Sequence, residues 1–370
     1  MSLPGGDFDF PAALDANLPS PELATPSRSS LEGILAADHL TAADFHRLLS
    51  PAAETLLESL ARRSRELTLR HFGRAIQLYT PLYLANHCVN GCLYCGYGAR
   101  RRIVRTRLEA DDLRREAETI AATGLRHILA LTGESARHTP PEYLGQCVEI
   151  LRGYFPSVAI EVYPLETEAY RQLRSQGVDS LTIYQEVYDR DIYARMHPFG
   201  PKRDYDFRLA APASGCQAGL RAVNIGALLG LHDPRKEFFL AGLHARHLQR
   251  LHPGVEISIS LPRLRPVPGG FPPPAPASDR MLAQFVAAFR LFMPRAGITL
   301  STREGASLRD GLVKMGVTRM SAGSVTSVGG HTQPREPGQF EIDDSRSVAE
   351  IHAMLKRAGL QPVFKDWERV

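Results

Sequence analysis

The chain has 370 residues, 44% of them apolar and 23% charged, an ordinary globular composition that excludes general disorder. Its 44 basic and 40 acidic side chains leave a net charge of +4, too small to point to nucleic acid, and no run approaches the roughly 20 apolar residues that span a bilayer. The length suits one large α/β barrel or two ordinary domains.

The opening MSLPGGDFDFPAALD lacks the basic start and apolar run of a signal peptide, so the expectation is a cytoplasmic protein. Residues 1–40, proline-rich up to Pro26, read as a loose or wrapping arm with little chemistry. Over residues 41–80 apolar residues recur at helical spacing, with Thr41 as an N-cap before AADFHRLL and Ser50 as another ahead of Pro51.

A repeating pattern follows. Eight β-rich runs, PLYLAN (81–86), HILALT (127–132), VAIEVYP (158–164), SLTIYQE (180–186), AVNIGALL (222–229), EISISL (256–261), ITLST (298–302) and TRMSAG (318–323), alternate with helix-like stretches such as DDLRREAETIAATG and MLAQFVAAFRLF. The alternation predicts a parallel (β/α)8 barrel of the TIM type over residues 81–340, with a doubly wound open sheet as the alternative. RPVPGGFPPPAPAS (265–278), with six prolines and two glycines, must be an irregular loop after the sixth strand. Residues 341–370 read as a capping segment, a helix stopped by Gly359 and then a tail.

Three of the five cysteines, Cys88, Cys92 and Cys95, fall in HCVNGCLYCGYG directly after the first run. Three thiolates on one loop can ligate three irons of a [4Fe-4S] cluster and leave the fourth iron open to a small molecule. The bland readings are a zinc site with His87 as fourth ligand, for which no second Cys pair follows, or buried core cysteines, as expected of Cys147 and Cys216.

The Cys-x3-Cys-x2-Cys spacing with Tyr94 before the third cysteine resembles the signature of radical S-adenosylmethionine enzymes. Further phrases, ALTGE, EVYPL, YQEVY, NIGALLGL, SLPRLRP, STRE, SAGSVTSVGG and FKDW, resemble the aromatic-amino-acid lyase branch, above all the tyrosine lyases of thiamine biosynthesis, the 2-iminoacetate synthases. The resemblance implies a [4Fe-4S] cluster on the three cysteines and S-adenosylmethionine as the second cofactor. It implies Gly133 and Glu134 at the methionine amino group, Glu161 at the ribose, and Ile225, Gly226 and Leu228 along the adenine, with Tyr94 adding backbone contacts. For the substrate, Arg303 would grip the carboxylate, Ser321 the amino group, Tyr83 would point to the same mouth, and His244 would meet the far end. The implied reaction cleaves the Cα–Cβ bond of L-tyrosine to 2-iminoacetate and p-cresol, with a thiazole synthase as receiving partner.

Related activities share these phrases. A hydrogenase-maturation tyrosine lyase needs a second cysteine-ligated cluster, and with no cysteine after Cys216 none is expected here; a tryptophan lyase would use the same carboxylate and amine contacts. A non-enzymatic iron-sulfur scaffold is the reading from another class. Five arginines in ARRRIVRTR (99–107) lack the interleaved aromatics of a single-strand nucleic-acid platform, and the expectation is that they dock an acidic reductant of the flavodoxin or ferredoxin type.

Overall fold

The computed structural model describes residues 10–15, 18–267, 269–333 and 338–364. Eight parallel strands close on themselves: β1 (Ala75–Ala85), β2 (His127–Thr132), β3 (Ser157–Glu161), β4 (Val178–Thr182), β5 (Ala222–Gly226), β6 (Glu256–Ser260), β7 (Gly297–Leu300) and β8 (Arg319–Ser321), with β1 paired to both β2 and β8. A short β9 (Gln361–Val363) adds to the lower end of β1. The closed barrel removes the doubly wound alternative, since an open sheet would leave two edges unpaired.

Helices follow β1 to β7 and pack their apolar faces on the outside of the barrel, as a right-handed β-α-β crossover requires. Strand alternation sends one set of side chains to those helices and the other inward. In β5, Val223 and Ile225 join the outer apolar core, while Asn224 faces in and bonds Ser260 Oγ (2.8 Å) and Ser258 Oγ (3.0 Å). The interior is therefore polar at its lower level, where Gln77 meets His127 Nε2 at 2.9 Å.

Thr41 forms the expected cap, reciprocated by Asp44, whereas Ser50 turns its hydroxyl back to the carbonyl of Arg47 (2.6 Å) and caps only a 3-10 turn. β1 begins at Ala75 rather than 81, because AIQLYT also alternates and pairs with β8 and β9. Between β4 and β5 stand two helices that periodicity did not mark, Arg190–Met196 and Tyr205–Gln217. The second contains Pro212 and buries Arg208, so its apolar stripe is broken. Of the arm, residues 1–9 lie outside the described residues, while Phe10 and Ala13 are buried in the core. The helix Val348–Arg357 stops at Gly359, whose φ of 72° needs glycine, and FKDW lies mostly outside the described residues.

Candidate active site at the barrel mouth

The three cysteines sit on the loop that leaves β1, at the carboxyl ends of the strands, where barrels build their sites. No helix or strand shapes that loop; backbone bonds and two arginines do. Val89 N–H donates to the carbonyl of Glu134 (2.9 Å), Gly91 N–H to Phe199 (3.0 Å) and Ala99 N–H to Asn90 (2.8 Å). Arg105 donates to the carbonyls of Asn86 (2.7 Å), Tyr97 (2.7 Å) and Gly98 (2.8 Å), and Arg101 to that of Leu93 (3.1 Å). The arginine run is thus largely the scaffold of the cysteine loop: Arg101, Arg105 and Arg107 are half-buried and bonded, and Arg100 and Arg102 are exposed.

Cys88, Cys92 and Cys95 line one cavity of about 940 Å³ together with Gly133, Glu134, Glu161, Leu228 and Tyr94. Gly133 is there because the β2 end passes the cysteine loop closely: a Cβ would stand 2.3 Å from the carbonyl oxygen of His87 and 3.0 Å from Cys88 Cβ. Burial pushes the Cys92 thiol up to about 12 and raises that of Cys95 as well, so the free thiols are protonated and metal binding must displace their protons.

Opposite the cysteines lies a charged group that spacing did not reveal. Glu186, buried and held at a φ of 69°, accepts from Lys202 Nζ (2.7 Å) and Arg208 Nη2 (3.3 Å). Burial works against its carboxylate, yet the two cations outweigh burial and hold it below the usual range. Two cations share this one carboxylate, so a further anion placed beside them would be favoured. Glu134 meanwhile accepts from Asn90 Nδ2 (2.6 Å) and keeps its other oxygen for the cavity. Burial pushes Glu161 up to about 7, against the pull of Arg303.

These residues fit the two cofactors. His87 stacks on His138 (3.9 Å) instead of joining the cysteines, and among the described residues no three His, Cys, Asp or Glu side chains converge on one ion. Three sulfurs spread around one cavity suit a cluster with one iron per thiolate. The Lys202–Arg208 pair and the available Glu134 carboxylate beside them suit the carboxylate and ammonium of an amino-acid group.

A second cavity of about 590 Å³ lies deeper, sharing Glu161, Tyr184, Pro262, Arg303 and Phe340 with the first. Tyr83, Arg303 and Ser321 meet in its wall. The Arg303 guanidinium lies over the Phe340 ring (3.5 Å), Ser321 Oγ accepts from Thr302 N–H (3.0 Å), and Tyr83 donates to Gln339 Oε1 (2.8 Å). Two buried hydroxyls of this wall, on Thr299 and Ser324, have no protein partner.

Three expected contacts are not brought to the cavities. His244 is enclosed on the helix Pro234–Leu251, stacked on Phe10 (4.4 Å) with Nδ1 on Tyr188 OH (3.0 Å), and burial pushes it down to about 3. Ile225 points to the outer helices, and Gly226 faces the carbonyl of Ser260, which a Cβ would meet at 2.5 Å; of NIGALLGL only Leu228 lines the upper cavity. Asn90, Glu186, Lys202, Arg208, Gln339 and Phe340 are the residues that sequence reasoning missed. Glu186 stood inside the quoted YQEVY and Asn90 inside HCVNGCLYCGYG, and the others carry no local pattern.

A parallel barrel with a three-cysteine loop after its first strand, opening on a cavity with paired charges, defines a radical S-adenosylmethionine enzyme. The Radical SAM superfamily matches residues 82–239, and the Biotin and Thiamin Synthesis associated domain matches 260–361. The chain is 39% identical to the 2-iminoacetate synthase of Escherichia coli (strain K12) and 37% identical to that of Salmonella typhimurium, each over 92% of this chain and 91% of the relative. The crystal structure of HydG, a maturase of the [FeFe]-hydrogenase, superposes with a TM-score of 0.88 at 31% identity, covering 96% of this chain and 79% of HydG. The chain belongs to the 2-iminoacetate synthase family of radical S-adenosylmethionine lyases, whose cofactors are a [4Fe-4S] cluster and S-adenosylmethionine. No described helix is long and apolar enough to cross a membrane.

Proposed function

We propose that this protein cleaves the Cα–Cβ bond of L-tyrosine to 2-iminoacetate and p-cresol. The observation that carries the reading is the stacking of two connected cavities, one walled by the cysteine loop and the other by Arg303, Ser321 and Tyr83. Cys88, Cys92 and Cys95 hold the cluster; with S-adenosylmethionine it supplies one-electron hydrogen-abstraction chemistry. Lys202 and Arg208 take the cofactor's carboxylate, Glu134 with the Gly133 backbone its ammonium, Glu161 the ribose, and Leu228 and Tyr94 the adenine. Below, Arg303 grips the substrate carboxylate, while Ser321 and Tyr83 orient its amino group beneath the cofactor. The shared wall keeps the reacting atoms close and out of bulk water, the part a barrel contributes to cofactor chemistry.

The product 2-iminoacetate hydrolyses readily, which supports transfer to a thiazole synthase, and exposed Arg100 and Arg102 beside the cysteine loop support docking of an acidic reductant. A tryptophan lyase would share the carboxylate and amine contacts. Anaerobic turnover with each aromatic amino acid separates the two: tyrosine should be consumed with release of p-cresol, and turnover of tryptophan alone would overturn the proposal.

A further inference from the structure

The segment 338–347 crosses the barrel mouth, and Gln339 ties it to both cavities. Its backbone is fixed on two sides, its N–H donating to the carbonyl of Thr326 (2.9 Å) and its own carbonyl accepting from Gly96 N–H (3.1 Å). Gly96 permits that approach, because a Cβ there would stand 2.3 Å from the Gln339 oxygen. The side chain then reaches two residues at once: Oε1 accepts from Tyr83 OH (2.8 Å), and Nε2 donates to Cys95 Sγ at 3.6 Å.

The sense of this relay is forced. An iron-bound cysteine is a thiolate and has no proton to give, so only the NH2 end of the amide can face Cys95. The carbonyl end must face Tyr83, whose single proton is thereby committed. The Tyr83 oxygen then offers only lone pairs to the lower cavity, where Arg303 and Ser321 also stand.

We infer that Gln339 is a positioning residue that joins the two halves of the site, stabilising the negative charge on Cys95 while fixing Tyr83 as a hydrogen-bond acceptor for the substrate amino group. Hydrogen bonds to a ligand sulfur favour the more negative, reduced state of an iron-sulfur centre and raise its potential. The inference rests on the cluster and substrate assignments above and adds a residue that neither assignment names.

The test is a redox titration of the anaerobically reconstituted protein, followed by electron paramagnetic resonance. Gln339→Leu should retain its iron but lower the ratio of reduced to oxidised cluster at a fixed potential by about tenfold, equivalent to about 59 mV for a one-electron couple. Tyr83→Phe, which leaves the amide–sulfur bond in place, should keep the wild-type potential and raise KM for tyrosine. An unchanged potential in iron-loaded Gln339→Leu, or an equal shift in Tyr83→Phe, overturns the inference. Should Gln339→Leu lose its iron, Gln339→Glu decides, since a carboxylate presents no N–H to Cys95 and must lower the potential further. Iron loss from both variants would make Gln339 a residue needed only for assembly and would equally overturn it. A wild-type protein that holds no cluster would instead refute the underlying cofactor assignment.

Discussion

Lys202 Nζ lies 2.7 Å from the buried Glu186 carboxylate, and both residues line the cavity that the three cysteines line. Arg208 shares the same carboxylate oxygen, so two cations stand on one anion. Lys202→Met removes one of these two cations. Truncating one partner of a buried charged contact typically costs about 2–5 kcal/mol, so S-adenosylmethionine should bind cluster-loaded Lys202→Met roughly 30-fold or more weakly in equilibrium dialysis. Wild-type affinity would show that the pair serves only to pin the 186–208 segment.

Glu161 gives the same cavity a pH dependence. Burial raises its carboxyl to about 7, so it is mostly protonated below that value and ionised above it. A carboxylate accepts two ribose hydroxyls better than a neutral acid does, and cofactor affinity should therefore rise as pH increases through about 7. Affinity near pH 6 should be several-fold weaker than near pH 8 in the wild type and nearly flat across that range in Glu161→Gln, as measured by cofactor titration.

Arg303 separates substrate anchoring from cofactor cleavage. Lysine has a charge but no fork, and it cannot reproduce the guanidinium stacking on Phe340. Arg303→Lys should lower kcat/KM for tyrosine by roughly 30-fold or more, while abortive cleavage of S-adenosylmethionine without tyrosine continues. Loss of both would place Arg303 in the cofactor site.

His244 belongs to stability. Burial depresses its pKa from 6.5 to about 3, so between those values the unfolded chain takes up a proton that the folded chain refuses. This histidine's contribution is present above about 6.5 and is lost as pH falls through the window. His244→Ala should cost about 2 kcal/mol or more in unfolding titrations by opening a cavity between Phe10 and Tyr188, without changing KM for tyrosine. A large KM effect at unchanged stability would return it to the substrate site.

The barrel was legible because each strand announces itself by alternation and each long helix by an apolar stripe, and because Cys-x3-Cys-x2-Cys is a local pattern. Tyr205–Gln217 was not legible, since Pro212 and buried Arg208 blur its period. Gly133, Glu134, Glu161, Arg303 and Ser321 could be placed because a strand's end fixes where its last inward residue faces. His244 and Ile225 failed the same reasoning for opposite causes: one lies on an outer helix, where Phe10 from the arm covers it, and the other has the outward parity of β5. Gln339, Lys202 and Arg208 reach the site from segments remote in sequence, and only tertiary packing brings them in.

The most direct test of the account is to follow p-cresol and 5′-deoxyadenosine together during anaerobic turnover of L-tyrosine with S-adenosylmethionine and a reductant, in the wild type and in Cys92→Ala. The account predicts that both products rise in step in the wild type and that neither forms in the variant. Production of 5′-deoxyadenosine without p-cresol, or of p-cresol by Cys92→Ala, would contradict it.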